Sequence, residues 1–413
     1  MACRSRVSRF RVSGAAAWAA APALERSTAL VAAAEALAAA AGEVTDLMVR
    51  EVGKPVTEAS AEVGRGVGIL RYYAQQVLDP DGETYPGPGP AALLLARRRP
   101  RGVAGLITPW NFPVAIPLWK AAPALAFGNG VVLKAASEAT ALALRLAELL
   151  SPTLPDGLFQ VVPGSAATAT ALIGQADCVS FTGSVEVGRQ VAVAATTRGI
   201  PCQAEMGGLN ASIVLPDADP ARAAATIAGA AMGYAGQKCT ATSRAIVVGD
   251  PGPFTEALVA AVERLPVGDP AEQATVVGPV INEPARRTVV EAAEAAAAAG
   301  ARLLAGGRAS DGDGDCTHVP DIGAFELQGS KVTALATAGA ASAQAGQPVS
   351  FSSAGSCIPG PGEPATTTLP SFFAPSTTVF HSFSLALLCA QTGDAPTIKT
   401  KSISIACIRS PRQ

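Results

Sequence analysis

Two short glycine-bearing stretches carry the side chains best suited to covalent chemistry. Cys239 lies in Met232-Gly-Tyr-Ala-Gly-Gln-Lys-Cys-Thr-Ala-Thr-Ser243, and Glu205 opens Glu205-Met-Gly-Gly-Leu-Asn210. A thiolate adds readily to carbonyl carbons, and a partly buried carboxylate can take a proton from water or a thiol near neutral pH. The two stretches predict a nucleophile and a base. The alternative for Cys239 alone is a small buried apolar side chain.

The segments that must position these residues alternate between strand and helix patterns. Strand-like apolar runs cover 103–107, 130–134, 158–162 and 178–183, and helical patterns cover 118–127, 140–150 and 185–195. This alternation predicts an α/β fold with a doubly wound, mostly parallel sheet, whose ligands bind at the carboxyl ends of the strands. The residues at those ends are Asn111, Lys134, Gly164 and Ser184.

The segment before this sheet is predicted to be helical. Apolar residues recur at helical spacing over 16–79, which indicates two or three helices, with a turn at Glu51-Val-Gly-Lys-Pro55. The Pro- and Gly-rich segment 80–100 predicts a projecting hairpin. Residues 1–15 carry several arginines and resemble a signal or transit peptide, but we favour a disordered leader because the alanine pattern continues directly into the first helix.

Composition excludes several classes of partner. The 413 residues are 49% hydrophobic and 15% charged, with a net charge of -2. This balance gives no reason to expect nucleic acid, and no bulky apolar run is long enough to predict a membrane span. The eight cysteines include no CxxC pair, so neither a disulfide framework nor a metal site is predicted.

A phosphate-binding turn is a further candidate. In Phe181-Thr-Gly-Ser-Val-Glu-Val-Gly188, Gly183 and Ser184 precede a predicted helix. Backbone N–H groups at a helix N-terminus favour an anion. The alternative for Ser184 is an ordinary helix N-cap.

Taken together, these stretches resemble the aldehyde dehydrogenase superfamily over about residues 16–308. The motifs that carry the resemblance are Thr108-Pro-Trp-Asn-Phe-Pro113, Phe181-Thr-Gly-Ser184, Glu205-Met-Gly-Gly208 and Gly236-Gln-Lys-Cys239, in the order typical of that family. The resemblance implies NAD(P)-dependent oxidation of a small aldehyde to a carboxylate. Cys239 is the implied nucleophile, Asn111 an oxyanion-hole donor together with the Cys239 backbone N–H, and Glu205 the base that activates water.

The resemblance also implies a cofactor site. Its implied residues are Thr108, Pro109, Trp110, Lys134, Ser137, Glu138, Gly164, Phe181, Gly183, Ser184, Val187 and Met206. Lys134 is implied to bind the adenosine ribose. After Lys134 the family usually has proline, whereas here Ala135 follows and either Ser137 or Glu138 can face the ribose 2′-hydroxyl. A glutamate there favours NAD and a serine admits NADP; we expect NAD.

The predicted organisation is an NAD(P)-binding domain over 16–204, a truncated catalytic domain over 205–309, and a linker with an unrelated Ser/Thr/Pro-rich tail over 310–413. The family's Glu-x-Phe-Gly-Pro and Asn-Phe-Gly-Gly stretches do not follow residue 308. The tail resembles the end of a secreted β-helix and a polycystic-kidney-disease-type β-sandwich repeat. We therefore expect a cytoplasmic protein with impaired turnover and a compromised homo-oligomer, or else a non-catalytic chimeric or frameshifted product with a secreted-type binding module.

Overall fold

The computed structural model describes residues 12, 14–89 and 92–307, and the backbone of strands at 309–310, 319–320, 324–326 and 400–405. The chain divides into two compact units, residues 1–328 with 400–413 and residues 329–399. The second unit lies outside the described residues, as does most of the predicted leader. The resemblance of the tail to a β-sandwich repeat therefore stays a prediction.

The N-terminal segment forms four helices rather than the two or three predicted. They are α1 (Ala15–Ala20), α2 (Ala23–Ala39), α3 (Ala41–Val52) and α4 (Val56–Gln76). Gly53 ends α3 in the left-handed conformation, with φ +63°, and Pro55 immediately precedes α4. The predicted turn between these helices is confirmed, and it places Lys54 between them.

The predicted hairpin is also confirmed. Strand β1 (Gly82–Tyr85) pairs antiparallel with β2 (Leu94–Arg97). Both strands are mostly exposed. The side chains of Leu93 and Leu95 are 73% and 54% exposed, so the hairpin presents apolar surface outward.

A five-stranded parallel sheet confirms the predicted α/β fold. Its strands are β3 (Val103–Ile107), β4 (Gly130–Lys134), β5 (Phe159–Val161), β6 (Cys178–Gly183) and β7 (Cys202–Met206). The helices between them are α5 (Ala115–Ala126), α6 (Thr140–Leu150), α7 (Ala166–Ile173) and α8 (Val185–Thr197). The strand order is β5-β4-β3-β6-β7, so the chain reverses its direction of travel across the sheet between β3 and β6. A crevice outside the carboxyl ends of these two strands is where such sheets bind ligands.

A second sheet follows the first. The remaining elements are β8 (Asn210–Val214), α9 (Pro220–Met232), β9 (Thr242–Val248), α10 (Gly252–Glu263), α11 (Glu283–Ala298), β10 (Arg302–Ala305), β11 (Ala309–Ser310), β12 (Val319–Pro320), β13 (Ala324–Glu326) and β14 (Thr400–Ile405). The sheet order is β10-β13-β14-β9-β8, with β8 and β9 parallel. The domain boundary predicted between residues 204 and 205 falls within β7.

The edge of β9 is covered by a strand from the predicted tail, a pairing that the sequence analysis does not predict. Strand β14 pairs antiparallel with β9, with Thr400 opposite Val248 and Ile403 opposite Ala245. Backbone hydrogen bonding requires no particular side-chain pattern, which is why a Ser/Thr-rich segment can occupy this position.

The largest buried cluster lies where the N-terminal helices pack on the parallel sheet. Leu30, Leu70 and Leu118, from α2, α4 and α5, are fully buried within it. The charged side chains of Lys54, Glu62 and Lys120 are buried as well. Among the described residues no single helix is long and apolar enough to cross a membrane; by length and composition only the bent pair α2 and α3, at 67°, passes that test together.

We predict that Trp18 ties α1 to the core. Its ring is 2% exposed, and its Nε1 donates to the Leu125 carbonyl at 2.8 Å. Trp18→Ala should lower the free energy of unfolding by about 3–5 kcal/mol. Trp18→Phe leaves the carbonyl without a donor and should cost about 1–3 kcal/mol. Urea unfolding measures both, and equal losses for the two variants would contradict a separate role for the hydrogen bond.

Candidate active site

Cys239 follows a strained turn. After α9 the chain passes through Tyr234 and Ala235, both in the left-handed region with φ 54° and 50°. Residues other than glycine rarely adopt this conformation, and each instance costs about 1–3 kcal/mol unless surrounding contacts hold it. The turn delivers Cys239 to a half-buried position just before β9.

Contacts with distant segments hold this turn. The Tyr234 hydroxyl donates to the Val52 carbonyl at 2.8 Å, and its backbone N–H donates to the Val276 carbonyl at 3.0 Å. The ring meets that of Trp110 edge to face, with centroids 6.3 Å apart. Burial, followed by the charges of Glu62 and Glu58, raises the pKa of Tyr234 well above its ordinary value, so the hydroxyl stays a donor.

Gln237 fixes the next part of the loop. Its Nε2 donates to the Pro279 carbonyl at 3.1 Å, and its Oε1 accepts from the Ile281 N–H at 2.8 Å. Its backbone carbonyl accepts from Asn111 Nδ2 at 2.9 Å. The structure thus brings Asn111, at the end of β3, against the loop that bears Cys239.

The Asn111 side chain has hydrogen-bonding groups that remain available to a ligand. Its Oδ1 is buried and has no hydrogen-bond partner in the described part of the chain. Its Nδ2 carries two hydrogens, and Gln237 uses one. A buried, partly unsatisfied amide is unusual away from functional sites. The geometry is compatible with the predicted donation to an oxyanion.

Asn210 secures the other side of Cys239. Its Nδ2 donates to the carbonyls of Cys239 at 2.7 Å and Ala241 at 2.9 Å. Sequence reasoning placed Asn210 at the end of the Glu205 stretch but gave it no role. The only available signal was an asparagine closing a strand-forming segment, which also fits an ordinary turn.

Glu205 occupies the edge strand β7 of the parallel sheet. It is exposed, and its Oε1 accepts from Gln203 Nε2 at 3.4 Å, which is long for a hydrogen bond. The described contacts of Glu205 are thus with neighbours of its own sheet. Its action as a base for Cys239 chemistry stays a prediction.

Lys120 is a buried cation near this carboxylate that sequence reasoning passed over. Its Nζ donates to Ser180 Oγ at 2.7 Å and to the Phe181 carbonyl at 3.2 Å. Burial lowers the pKa of Lys120 to about 8, although the negative charges of Glu205 and Cys202 oppose the shift. The lysine can therefore gain or lose a proton near neutral pH.

The turn that was predicted to bind phosphate lies at the N-terminus of α8, and its binding of phosphate stays a prediction. Ser184 Oγ accepts from the Val187 N–H at 3.3 Å, so Ser184 is the helix N-cap. This bond leaves the first N–H groups of α8 directed beyond the helix end, where an anion is stabilised. A Cβ on Gly183 would meet the Phe181 ring at 2.5 Å. Phe181 is buried and Val187 is 44% exposed.

Met206 packs onto this helix. A Cβ on Gly188 would lie 2.5 Å from Met206 Sδ, so Gly188 allows β7 and α8 to approach closely. Met206 is 40% exposed. The structure therefore brings Met206 and Phe181 to the start of α8, as the cofactor prediction requires.

The remaining predicted cofactor residues surround the same ends of the strands. Thr108, Pro109 and Trp110 follow β3, Lys134 ends β4, and Gly164 follows β5. Thr108 Oγ1 is buried and has no hydrogen-bond partner within the described residues. Together with the helix N-terminus, this orphaned hydroxyl fits a phosphate-bearing dinucleotide.

Two side chains compete for the ribose position. Ser137 is exposed and Glu138 half-buried in the short helical turn after β4. Burial lowers the pKa of Lys134, and the charge of Glu138 opposes this shift. Glu138 is therefore the acidic group that acts on Lys134.

The parallel sheet, its crevice and the cysteine loop together define a dinucleotide-binding α/β protein with a candidate thiol nucleophile. The sequence profile described as Aldehyde dehydrogenase family matches residues 10–322. The chain belongs to the aldehyde dehydrogenase family. The match begins before and ends beyond the predicted limits of residues 16 and 308.

Similar proteins extend this finding. The chain is 41% identical over 301 residues to the alpha-ketoglutarate semialdehyde dehydrogenase of Haloferax volcanii, covering 72% of this chain and 62% of that protein. It is 39% identical over 270 residues to the alpha-ketoglutaric semialdehyde dehydrogenase of Bacillus subtilis, covering 64% of this chain and 55% of that protein. The matched part thus spans between half and two thirds of these relatives.

The fold is similar to solved structures of the family. The betaine aldehyde dehydrogenase of Staphylococcus aureus, in complex with NAD+, matches with a TM-score of 0.75 and 26% identity. The match covers 78% of this chain and 65% of that chain. The α/β architecture predicted from the sequence is therefore that of the family.

We predict that iodoacetamide alkylates Cys239 several-fold faster than Cys178 or Cys202 in the folded protein. Burial raises the pKa of both Cys178 and Cys202, which lowers their thiolate fractions. Peptide mass spectrometry over a time course measures the three rates. In urea the three thiols should react alike, and equal rates in the folded protein would contradict an activated Cys239.

We also predict that Lys120 makes stability depend on pH. Between pH 8 and 10 the unfolded lysine binds a proton that the folded one has lost, so the free energy of unfolding rises with pH. Relative to Lys120→Met, the wild type should gain about 1–2 kcal/mol over this range. Urea midpoints at pH 8, 9 and 10 measure this difference. Relative to Lys134→Met, which removes a half-buried lysine, the wild type should gain less stability over the same pH range. Parallel pH profiles for the wild type and Lys120→Met would contradict the lowered pKa of Lys120.

Proposed function

We propose that this chain oxidises an aldehyde to a carboxylate with NAD, through a covalent adduct on Cys239. The observation that carries the proposal is the hydrogen bond, 2.9 Å long, between Asn111 Nδ2 and the Gln237 carbonyl. It brings an amide donor from the end of β3 to the loop that presents a half-buried thiol. Membership of the aldehyde dehydrogenase family supports the assignment.

The first step is addition of the Cys239 thiolate to the aldehyde carbon. A carbon–sulfur bond forms, and the carbonyl π electrons move to oxygen, giving a thiohemiacetal oxyanion. The second Nδ2 hydrogen of Asn111 and the backbone N–H of Cys239 donate to that oxygen. Because these donors are held before the substrate arrives, stabilisation requires little reorganisation.

NAD, when bound, supplies the oxidising chemistry by accepting a hydride from the adduct carbon. The chain's residues hold the cofactor through the α8 N-terminus, Thr108 and Lys134. The thioester left on Cys239 is attacked by water, whose proton passes to Glu205, and the carbon–sulfur bond then breaks to release carboxylate and thiolate.

The cofactor preference is part of this proposal. Glu138 is half-buried and interacts electrostatically with Lys134, whereas Ser137 is exposed. A carboxylate near the ribose repels a 2′-phosphate, and this favours NAD over NADP. Exchange of Glu138 for glutamine removes that repulsion.

Impaired turnover is also part of the proposal. Residues 308–413 contain no Glu-x-Phe-Gly-Pro stretch to orient the nicotinamide ribose. The exposed leucines of the β1–β2 hairpin support an assembly surface there. The missing stretch favours weak cofactor binding and slow catalysis, and the non-catalytic chimera is the alternative outcome.

The proposal is tested with purified chain, NAD and either propanal or alpha-ketoglutarate semialdehyde. We expect weak NAD binding by calorimetry and slow NADH formation. Cys239→Ala should abolish NADH formation, and Asn111→Ala should reduce it roughly 100- to 1000-fold. Folding of each variant is checked by circular dichroism, so that loss of chemistry is distinguished from loss of structure.

Three results would each overturn a part of the proposal. No binding at millimolar NAD by a folded protein contradicts the cofactor assignment. NADH formation that persists in Cys239→Ala contradicts the covalent mechanism. Rapid turnover by a monodisperse wild-type protein, lost in Cys239→Ala, would retain the mechanism and refute the impairment.

A further inference from the structure

Helix α4 carries two carboxylates one turn apart that reach both halves of the candidate active site. Glu58 and Glu62 are related by i, i+4 and therefore share a helix face. Glu62 forms an ion pair with Lys54, and Glu58 forms one with Lys238. These pairs connect the same helix to the Asn111 segment and to the residue preceding Cys239.

The first ion pair encloses the Asn111 segment. Lys54 Nζ, paired with Glu62 Oε2, also donates to the Asn111 carbonyl at 2.7 Å. Glu62 Oε1 accepts from the backbone N–H groups of Val114 and Ala115, both at 2.9 Å. The ion pair thereby fixes the chain on both sides of Phe112: Lys54 binds the Asn111 carbonyl before it, and Glu62 binds the two N–H groups after it, at the start of α5.

The second ion pair holds the cysteine loop. Lys238 Nζ lies 3.0 Å from Glu58 Oε1. A Cβ on Gly233 would lie 2.8 Å from Lys238 Nζ and 2.9 Å from Glu58 Oε1. The pair is therefore packed against the backbone at the start of the strained turn, and it constrains the residue next to the nucleophile.

Aromatic rings join the two pairs. Lys54 Nζ lies 3.9 Å from the centre of the Phe112 ring and 4.8 Å from that of Tyr234. A cation over an aromatic face is attracted to it. Tyr234 belongs to the cysteine turn and Phe112 to the Asn111 segment, so one ammonium group contacts both.

Stability alone does not account for this arrangement. Lys54 is 0% exposed and Glu62 3%, and burying two charges costs desolvation that an apolar pair of similar volume avoids. What the charged network adds is directional contact with the backbone of Asn111, Val114 and Ala115. Such contacts specify positions more narrowly than apolar packing does.

We propose that α4, through its two ion pairs, positions Asn111 and Cys239 relative to each other. Glu62 and Lys54 are positioning residues for Asn111, and Glu58 and Lys238 are positioning residues for Cys239. The inference rests on the proposed function, because it assumes that Asn111 stabilises an adduct on Cys239. It assigns a role to side chains that do not touch substrate.

The test measures adduct formation without NAD. Propanal forms a thiohemiacetal with Cys239 and protects it from iodoacetamide, so the half-protecting concentration reports how well Asn111 is placed. In Glu62→Ala this concentration should rise at least tenfold. Glu51→Ala is the matched control, because Glu51 accepts from the Ala141 and Leu142 N–H groups at the start of α6 and is outside the network; its value should stay within twofold of wild type.

A double variant separates positioning from stability. Lys54→Met with Glu62→Gln leaves no buried charge unpaired and keeps an acceptor for the Val114 and Ala115 N–H groups. It should unfold at a urea concentration close to that of wild type, yet still need at least fivefold more propanal, because the Asn111 carbonyl has lost its donor. This variant tests the positioning role even if Glu62→Ala does not fold.

The second ion pair has its own readout. Glu58→Ala removes the carboxylate partner of Lys238 and should change the rate of Cys239 alkylation, measured without propanal, at least threefold. An unchanged rate removes the role of Glu58. If propanal protects the double variant as well as it protects the wild type, the positioning role of Lys54 and Glu62 is overturned. If propanal does not protect the wild type, the proposed function is refuted, and the positioning role of α4 with it.

Discussion

The buried ion pair of Lys54 and Glu62 is the interaction on which the site depends. Two charges inside a helical core are tolerated only when each has several partners, and removing one partner typically costs about 3–5 kcal/mol. Here the ammonium meets a carboxylate, a carbonyl and two rings, and the carboxylate meets two backbone N–H groups. Burial lowers the pKa of Lys54 while Glu62 opposes that shift. The pair thus connects the N-terminal helices to the loops that carry the chemistry.

The topology of the parallel sheet explains why so many polar groups converge. The chain leaves β3 towards β4 and β5 and returns to β6 on the other side of β3. Loops that diverge in this way leave a crevice between them. The buried Thr108 hydroxyl and the α8 N-terminus both lie at this edge and are the groups proposed to bind a dinucleotide. The α9–β9 connection supplies the thiol.

The sequence predicted those features that depend on local pattern. Strands β3 and β4 and helix α6 were predicted at their observed bounds. The strands are short apolar runs bounded by glycine or proline and the helix has a clear helical period, so few other secondary structures fit these segments. The same reasoning assigned Ser184 both as an N-cap and as part of an anion site, and the first of these is confirmed. The hairpin was likewise visible from its turn residues.

What the sequence did not reveal depends on contacts between distant segments. Lys54 lies in the predicted turn and Glu62 in the predicted helical segment, and nothing local in the sequence indicates that both are buried against the Asn111 segment. The left-handed conformation of Tyr234 and Ala235 was equally hidden, because residues other than glycine rarely adopt it and no sequence pattern marks it. The pairing of β14 with β9 joins residues more than 150 positions apart. Because the backbone hydrogen bonds between strands require no particular residue types, the composition of the segment does not indicate this pairing.

The hydrogen bond from Tyr234 to the Val52 carbonyl has a consequence for biosynthesis, since it joins segments 182 residues apart. A nascent chain that has reached only residue 230 can fold α1 to α8, but its Lys54 then lacks one of its two rings. The cysteine turn can take its strained shape only after the ribosome has released that later segment. Cys239 closely follows Tyr234 in the chain, so the nucleophile leaves the ribosome only after Val52 and the helices that hold the turn have been synthesised.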